Sequence, residues 1–150
     1  MSGELSVVPP SSGGGPASLS IVNFAFPASL KAAPSGSLTV LEATPTLAVG
    51  KWVILADFVC EVNSSNASND FLNFPISLAS GAASLNGGAG IEPQYIVPPL
   101  TYQAGNYLHF PVFGLAEVTA DATLNLEVIP ILNQWDFAAL YSNFTAFKVA

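Results

Sequence analysis

Few residues in this chain could do acid–base or nucleophilic chemistry. There is one histidine, His109, and one cysteine, Cys60. A Ser-His-Asp arrangement needs a histidine, but His109 lies in the apolar run 107–110 and no Gly-x-Ser-x-Gly elbow accompanies it. Cys60 shares one side of an alternating apolar run with Phe58 and Val62, where a free thiol behaves as a small hydrophobic group. The sequence therefore predicts no catalytic residue, and it does not favour an enzyme.

Motifs for metals and cofactors are equally scarce. Zinc sites need clusters of cysteine and histidine, and calcium needs several oxygen ligands. Asn63, Asn66, Asn69 and Asp70 could offer such oxygens, but this polar run lacks an EF-hand pattern and we interpret it as a plain loop. The glycine-rich stretches 13–15 and 87–90 lack the Lys-Ser/Thr of a phosphate-binding loop. We predict no metal and no cofactor.

The low content of charged residues limits the classes of partner. Charged residues make up 9% of the chain and apolar residues 51%, with a net charge of −7, whereas a typical soluble domain carries about 25% charged residues. The three cations are Lys31, Lys51 and Lys148. Because counterion release from a phosphate backbone needs many lysines and arginines, direct nucleic-acid binding is not expected. So little charge predicts that another protein covers part of the surface.

The organisation of the chain indicates one domain preceded by an arm. Residues 1–17 are rich in Pro, Gly and Ser and form the predicted arm, and residues 18–150 form the predicted domain. The N-terminus has neither the basic nor the apolar region of a signal peptide. The longest aliphatic stretch, at 52–56, is far shorter than the ~20 residues of a membrane-spanning helix. We therefore expect neither a leader nor a membrane partner.

Alternation of apolar and polar residues predicts short β-strands along the domain. The predicted strands are Ser18–Phe26, Ser37–Ala43, Lys51–Val62, Phe71–Ala79, Gln94–Val97, Asn106–Phe113 and Asp121–Val128. We expect a long flexible connection over 80–93, and a turn of helix near Trp135 before a terminal strand. Twelve prolines and twelve glycines between short strands are typical of an all-β fold. The expected fold class is an antiparallel β-sandwich or a jelly-roll-like barrel.

The aromatic residues allow two interpretations. Aromatic side chains in such folds usually belong to the core or to subunit contacts. As candidates for a subunit contact we take Phe26, Phe74, Tyr95, Tyr102, Phe110 and Trp135. A sugar-stacking platform would instead use Trp52 and Trp135 with the tyrosines at 95, 102, 107 and 141.

The whole chain resembles the small β-sandwich accessory proteins of phage capsids, known as cement or decoration proteins. The resemblance rests on the Pro/Gly/Ser-rich arm up to Pro16, the Ala/Ser/Gly-rich stretch 80–90, the short alternating strands and the lack of histidine and cysteine clusters. It implies a structural virion protein on the capsid exterior, made in the host cytoplasm. Such proteins bind neighbouring major capsid proteins, often as homotrimers.

If the resemblance holds, the arm lies over a neighbouring subunit and the β domain forms the trimer. The arm residues expected to bind the partner are Leu5, Val7, Val8, Pro9, Pro10 and Pro16. Two alternatives stay open. One is a carbohydrate-binding or receptor-binding β-sandwich module of a fibre, and the other is a self-assembling single jelly-roll capsid protein.

Overall fold

The computed structural model describes residues 20–25, 31–61, 68–88, 90–101, 106–137 and 142–149. These residues form ten strands: β1 (Ile21–Ala25), β2 (Lys31–Ala33), β3 (Thr39–Ala43), β4 (Gly50–Glu61), β5 (Asp70–Asn73), β6 (Ile76–Leu85), β7 (Gln94–Val97), β8 (Tyr107–Pro130), β9 (Trp135–Phe137) and β10 (Asn143–Lys148). All the pairings between these strands are antiparallel. The all-β fold class predicted from the sequence is confirmed. The predicted arm at 1–17 lies outside the described residues.

The long strand β8 organises the sheet. Its first half pairs with the whole of β4, from Tyr107 opposite Glu61 to Val118 opposite Gly50. Its second half pairs with β6 along the opposite edge. Beyond the end of β4, it pairs with β3 along the same edge as β4. Beyond β4, the sheet continues through β10 to β1. The sequence predicted two separate strands at 106–113 and 121–128, but the chain is extended throughout 107–130.

Pro111 lies inside β8 without interrupting it. Its carbonyl oxygen accepts a hydrogen bond from the Tyr95 hydroxyl and therefore points away from β4. In an extended residue the nitrogen points to the same edge as the carbonyl, and β6 pairs with β8 only from Ala116 onward. The missing N–H of the proline is therefore at an unpaired edge, where a strand tolerates proline.

The alternating pattern of β4 places one side of the strand in the core, as predicted. Trp52, Ile54, Phe58 and Cys60 are buried, and Leu55 on the other side is exposed. Val59, on the same side as Leu55, is also fully buried. The second side of β4 is therefore covered for part of its length.

Aromatic rings form the centre of the core. Phe74 stacks on Phe58 with ring centroids 4.8 Å apart, and it contacts Phe110 at 5.1 Å. Phe137 and Tyr95 meet Phe74 edge to face, each at 5.8 Å. Such ring pairs add about 0.5–1.5 kcal/mol each beyond their buried area.

Two expected connections have regular structure. The predicted flexible connection over 80–93 is instead the second half of β6, followed by a 3₁₀ turn at Asn86–Gly88 and a bridge between Ile91 and Ile76. Small residues in this stretch concealed the strand, whose register against β8 shifts three times. Trp135 begins strand β9 and not a turn of helix, because Trp135 and Phe137 both point into the core. The expected terminal strand is confirmed as β10.

Candidate functional site

His109 pairs with a carboxylate on the outer side of the sheet. Its Nδ1 lies 2.9 Å from Oδ2 of Asp57, and its side chain is largely exposed. The other carboxylate oxygen, Oδ1 of Asp57, is buried without a hydrogen-bond partner. Within the described residues no serine or cysteine side chain bonds to His109. The pair links neighbouring strands β4 and β8, and the geometry gives it no nucleophile.

Cys60 is a core residue, as the alternating pattern predicted. Its side chain is fully buried, and its thiol donates to the carbonyl oxygen of Asp136 at 3.3 Å. Burial strongly raises the pKa of the thiol, which outweighs the hydrogen bond to Asp136. Because the thiolate is the reactive form, this cysteine is poorly suited to nucleophilic chemistry.

Asp70 is a buried structural carboxylate and not the loop ligand that the sequence allowed. Its Oδ1 accepts the backbone N–H groups of Phe71 at 2.7 Å and Leu132 at 2.9 Å. Its Oδ2 accepts Nε1–H of Trp135 at 2.8 Å, and both the backbone N–H at 3.1 Å and the side-chain amide at 2.9 Å of Asn133. Burial alone would raise the pKa of Asp70, but these donors together lower it.

Four of these five hydrogen bonds hold the β8–β9 connection and the start of β9 against the start of β5. They leave the Asp70 carboxylate with little capacity for a metal ion. Across the described part of the chain, no group of three histidine, cysteine or acidic side chains could hold one. Asn63 and Asn66 lie outside the described residues. Sequence reasoning missed the role of Asp70, because its donors other than Phe71 are 62 to 65 positions away.

The candidate aromatics for a subunit contact occupy different places from those expected. Phe74, Phe110 and Trp135 are buried within the chain, so their rings are unavailable to a partner. Tyr95 packs against Phe74 and Phe110 and donates its hydroxyl to the backbone. Burial, together with the nearby Asp57, raises the pKa of that hydroxyl.

The remaining predicted contact residues cannot be placed. Phe26 and Tyr102 lie outside the described residues, and so do Leu5, Val7, Val8, Pro9, Pro10 and Pro16 of the arm. The sugar-stacking platform loses its main members, because Trp52 and Trp135 are both buried in the core. Trp52 in addition donates its ring N–H to the carbonyl oxygen of Ala48 at 2.9 Å.

The most distinctive surface is an apolar outer face on β1, β10, β4 and β8. In one row Ile21, Phe147, Val53 and Leu115 are consecutive cross-strand partners, and in the next row Leu55 lies opposite Phe113. Phe113 is 62% exposed, and Ile21, Leu55 and Leu115 are also exposed. We call these six residues the outer face. The solvated side of an antiparallel sheet usually carries polar residues, because apolar side chains gain no burial there. The fold of the single chain therefore does not explain these exposed apolar residues.

The sequence carries a signal for the outer face that the predicted contact residues did not include. In the stretch Val112 to Ala116, the inward residues are small or β-branched, and the outward residues are Phe113 and Leu115. Gly114 faces inward against Ile91, whose Cδ1 lies 2.0 Å from where a Cβ would stand. A strand that is apolar on both sides indicates two covered sides, yet one is open in the single chain.

A shallow cavity adjoins one end of the outer face. Its volume is about 270 Å³. The lining residues are Lys51, Trp52, Gly87, Leu115, Ala116, Glu117 and Val149. Its lining has no cluster of catalytic or metal-binding side chains, so we interpret the cavity as part of the surface around the outer face.

Comparison with solved structures connects this fold to virus capsids. A structure of infectious bursal disease virus, Gx strain, matches 93% of this chain with a TM-score of 0.54 and 13% identity. The VP2 subviral particle of infectious bursal disease virus matches 93% of the chain with a TM-score of 0.52 and 14% identity. The chain has a viral capsid-like fold.

The likeness extends to the fold alone. The chain spans only 36–37% of the length of the two viral chains it matches. No family model matches the sequence, and no curated protein matches it either. No helix within the described segments is long and apolar enough to cross a membrane.

Proposed function

We propose that this chain is a non-enzymatic structural protein of a virion, and that it acts as a cement or decoration subunit on the outer surface of the capsid. The observation that carries the proposal is the exposed apolar outer face on a capsid-like fold. A chain with 9% charged residues that leaves Phe113, Leu115 and Leu55 exposed is suited to a surface that another protein covers.

The proposal includes a homo-oligomer, with three subunits favoured, and a second contact made by residues 1–17 with a neighbouring major capsid protein. An arm of this composition has little apolar surface to bury by itself. When it binds, its ordering entropy is offset by contact over a large area. The arm therefore adds to the contact made by the β domain.

Deletion of residues 2–16 tests the role of the arm. The deletion variant and the full chain are each added to shells of the candidate capsid protein, and bound subunits per shell are counted by quantitative gel analysis. We expect the deletion to lower occupancy while the circular dichroism and thermal midpoint stay unchanged. Equal occupancy would refute the arm contact, and multi-angle light scattering of the free protein would test the trimer separately.

A second candidate function is a capsid protein that forms a shell by itself. One observation favours it, because one of the similar structures is a subviral particle of VP2. Electron microscopy of the purified chain, concentrated in the absence of other proteins, separates the two functions. Closed particles would support the shell-forming protein, and discrete small oligomers would support the decoration subunit.

A further inference from the structure

Charged residues flank the outer face at both ends of its strands, and there are none in its centre. Lys51 and Glu117 are cross-strand partners at one end. Six residues along β4 lies Asp57, which pairs with His109 of β8 at the other end. Between them stand the apolar row that ends in Leu115 and the apolar pair Leu55 and Phe113. The row of this pair continues across β10 and β1 with the polar residues Thr145 and Asn23.

We propose that a second copy of this chain docks on the outer face, sheet against sheet, with the strands antiparallel about a twofold axis. The axis runs across the strands, so that β4 lies over β4 and β8 over β8 of the second copy. Lys51 then faces Asp57 of the second copy, and Glu117 comes beside its His109. A twofold axis that runs along β4 would instead stack the strands parallel and place Lys51 over Lys51.

Charge complementarity between Lys51 and Asp57 therefore supports a second copy in this orientation. The twofold axis repeats each contact, so both ends of the interface gain attractive pairs at once. The apolar residues meet in the middle, as in interfaces with an apolar core and a polar rim. Phe113 and Leu115 of β8 supply exposed apolar side chains to this contact.

The area of the face sets the expected affinity. Four strands about 4.8 Å apart and six residues of about 3.3 Å each give a face of roughly 20 Å by 20 Å. That is about 400 Å² per copy, half of the roughly 800 Å² in a standard interface. We therefore expect a weak contact with a Kd on the order of micromolar, which acts together with other contacts in an assembly.

The inference rests on the proposed function for the expectation that copies of the chain meet. It names the surface and the symmetry, and neither depends on the proposed trimer. If the base unit is a trimer, the contact pairs trimers, and if the base unit is a monomer, it pairs monomers. In both cases the signature is a doubling of mass with concentration.

Sedimentation equilibrium of the full chain between about 1 and 200 µM, which brackets a micromolar Kd, measures this doubling. Phe113→Ser should weaken it by about tenfold or more, since a large aromatic ring is lost from the contact. The matched control is Ile96→Ser on β7. Ile96 is 63% exposed, as Phe113 is 62% exposed, and it lies off the outer face, so its substitution should leave the doubling unchanged.

A charge exchange tests the orientation without altering net charge. The double variant Lys51→Glu, Glu117→Lys keeps opposite charges on the cross-strand pair but places a negative charge against Asp57 of the second copy. We expect it to weaken association by about tenfold at low salt and less at high salt, where rim charges are screened. Unchanged association of this variant would refute the antiparallel orientation.

The outcomes separate the two proposals. A trimer whose mass never doubles would overturn this inference and leave the proposed oligomer standing. A monomer that doubles, with sensitivity to Phe113→Ser, would support the inference and refute the trimer. Doubling that is insensitive to Phe113→Ser would show that a different surface mediates the association, and it would overturn the inference. Doubling that is equally sensitive to Ile96→Ser would overturn it for the same reason.

Discussion

Replacement of Asp70 by asparagine should be among the most damaging isosteric substitutions in this chain. The carboxylate accepts two donors on Oδ1 and three on Oδ2. Asparagine keeps one oxygen, so in its better orientation the amide group faces the two Oδ1 donors and satisfies neither. Each unsatisfied buried donor costs about 1–3 kcal/mol. The expected loss of unfolding free energy is therefore about 4 kcal/mol.

Urea denaturation of wild type and Asp70→Asn, followed by tryptophan fluorescence, measures this loss as a shift in midpoint at constant slope. A domain of this kind has about 5–15 kcal/mol of stability in total, so the shift should be large. The matched control is Asp121→Asn. Asp121 is exposed and accepts one long hydrogen bond of 3.3 Å from Val49, so its loss should stay below about 1 kcal/mol. A loss below about 1 kcal/mol for Asp70→Asn would refute the reasoning.

The pH dependence of the same variant provides an independent check. The hydrogen bonds lower the pKa of Asp70 below its ordinary value in the folded protein. A lowered folded-state pKa stabilises the fold above the unfolded-state pKa of about 4, and this stabilisation is lost as the pH falls through the folded-state pKa. The stability gap between wild type and Asp70→Asn should therefore be full at neutral pH and shrink in acid. A gap that stays constant down to the acid transition would contradict the assignment.

Three further substitutions or reactions test the core. Gly81→Ala should cost about 3 kcal/mol, since Gly81 has a φ of +82° and a Cβ would stand 2.0 Å from the carbonyl oxygen of Asp121; a urea midpoint equal to that of wild type would contradict this. Gly114→Ala should lower the free energy of unfolding by about 1–3 kcal/mol, because the added methyl group would contact Ile91. Ile91→Val in the same chain should restore part of the urea midpoint. If the losses of the two substitutions simply add, this contact is not the cause. Cys60 should react with Ellman's reagent only as fast as the fold opens, because burial raises its pKa; rapid reaction of the native protein would show an accessible thiol.

The parts of the fold that depend on local pattern could be predicted from the sequence. The strand β4 and the inward positions of Trp52, Ile54 and Phe58 follow from alternation alone. The terminal strand β10 and the short strand β7 were also recovered. These successes reflect short-range physics, because neighbouring side chains of a strand point to opposite sides.

The parts that depend on distant residues could not be predicted. The role of Asp70 requires donors from the β8–β9 connection, and the second half of β6 consists of small residues whose extended form comes from pairing with β8. The candidate contact aromatics Phe74, Phe110 and Trp135 were assigned by residue type, but only packing decides whether a ring is inside or outside. The outer face was missed for the same reason, because Leu55 and Phe113 become neighbours through pairing alone.

The length of β8 has a consequence for how the chain folds and unfolds. Strands β3, β4, β5 and β6 all pair with this one segment, and removal of β8 would leave β3, β4 and β6 without their main partner. Most of these pairings join distant parts of the sequence, which is typical of slow folding. Amide exchange across the sheets should accordingly occur in one cooperative step, and a single proteolytic cut within β8 would dismantle the whole domain.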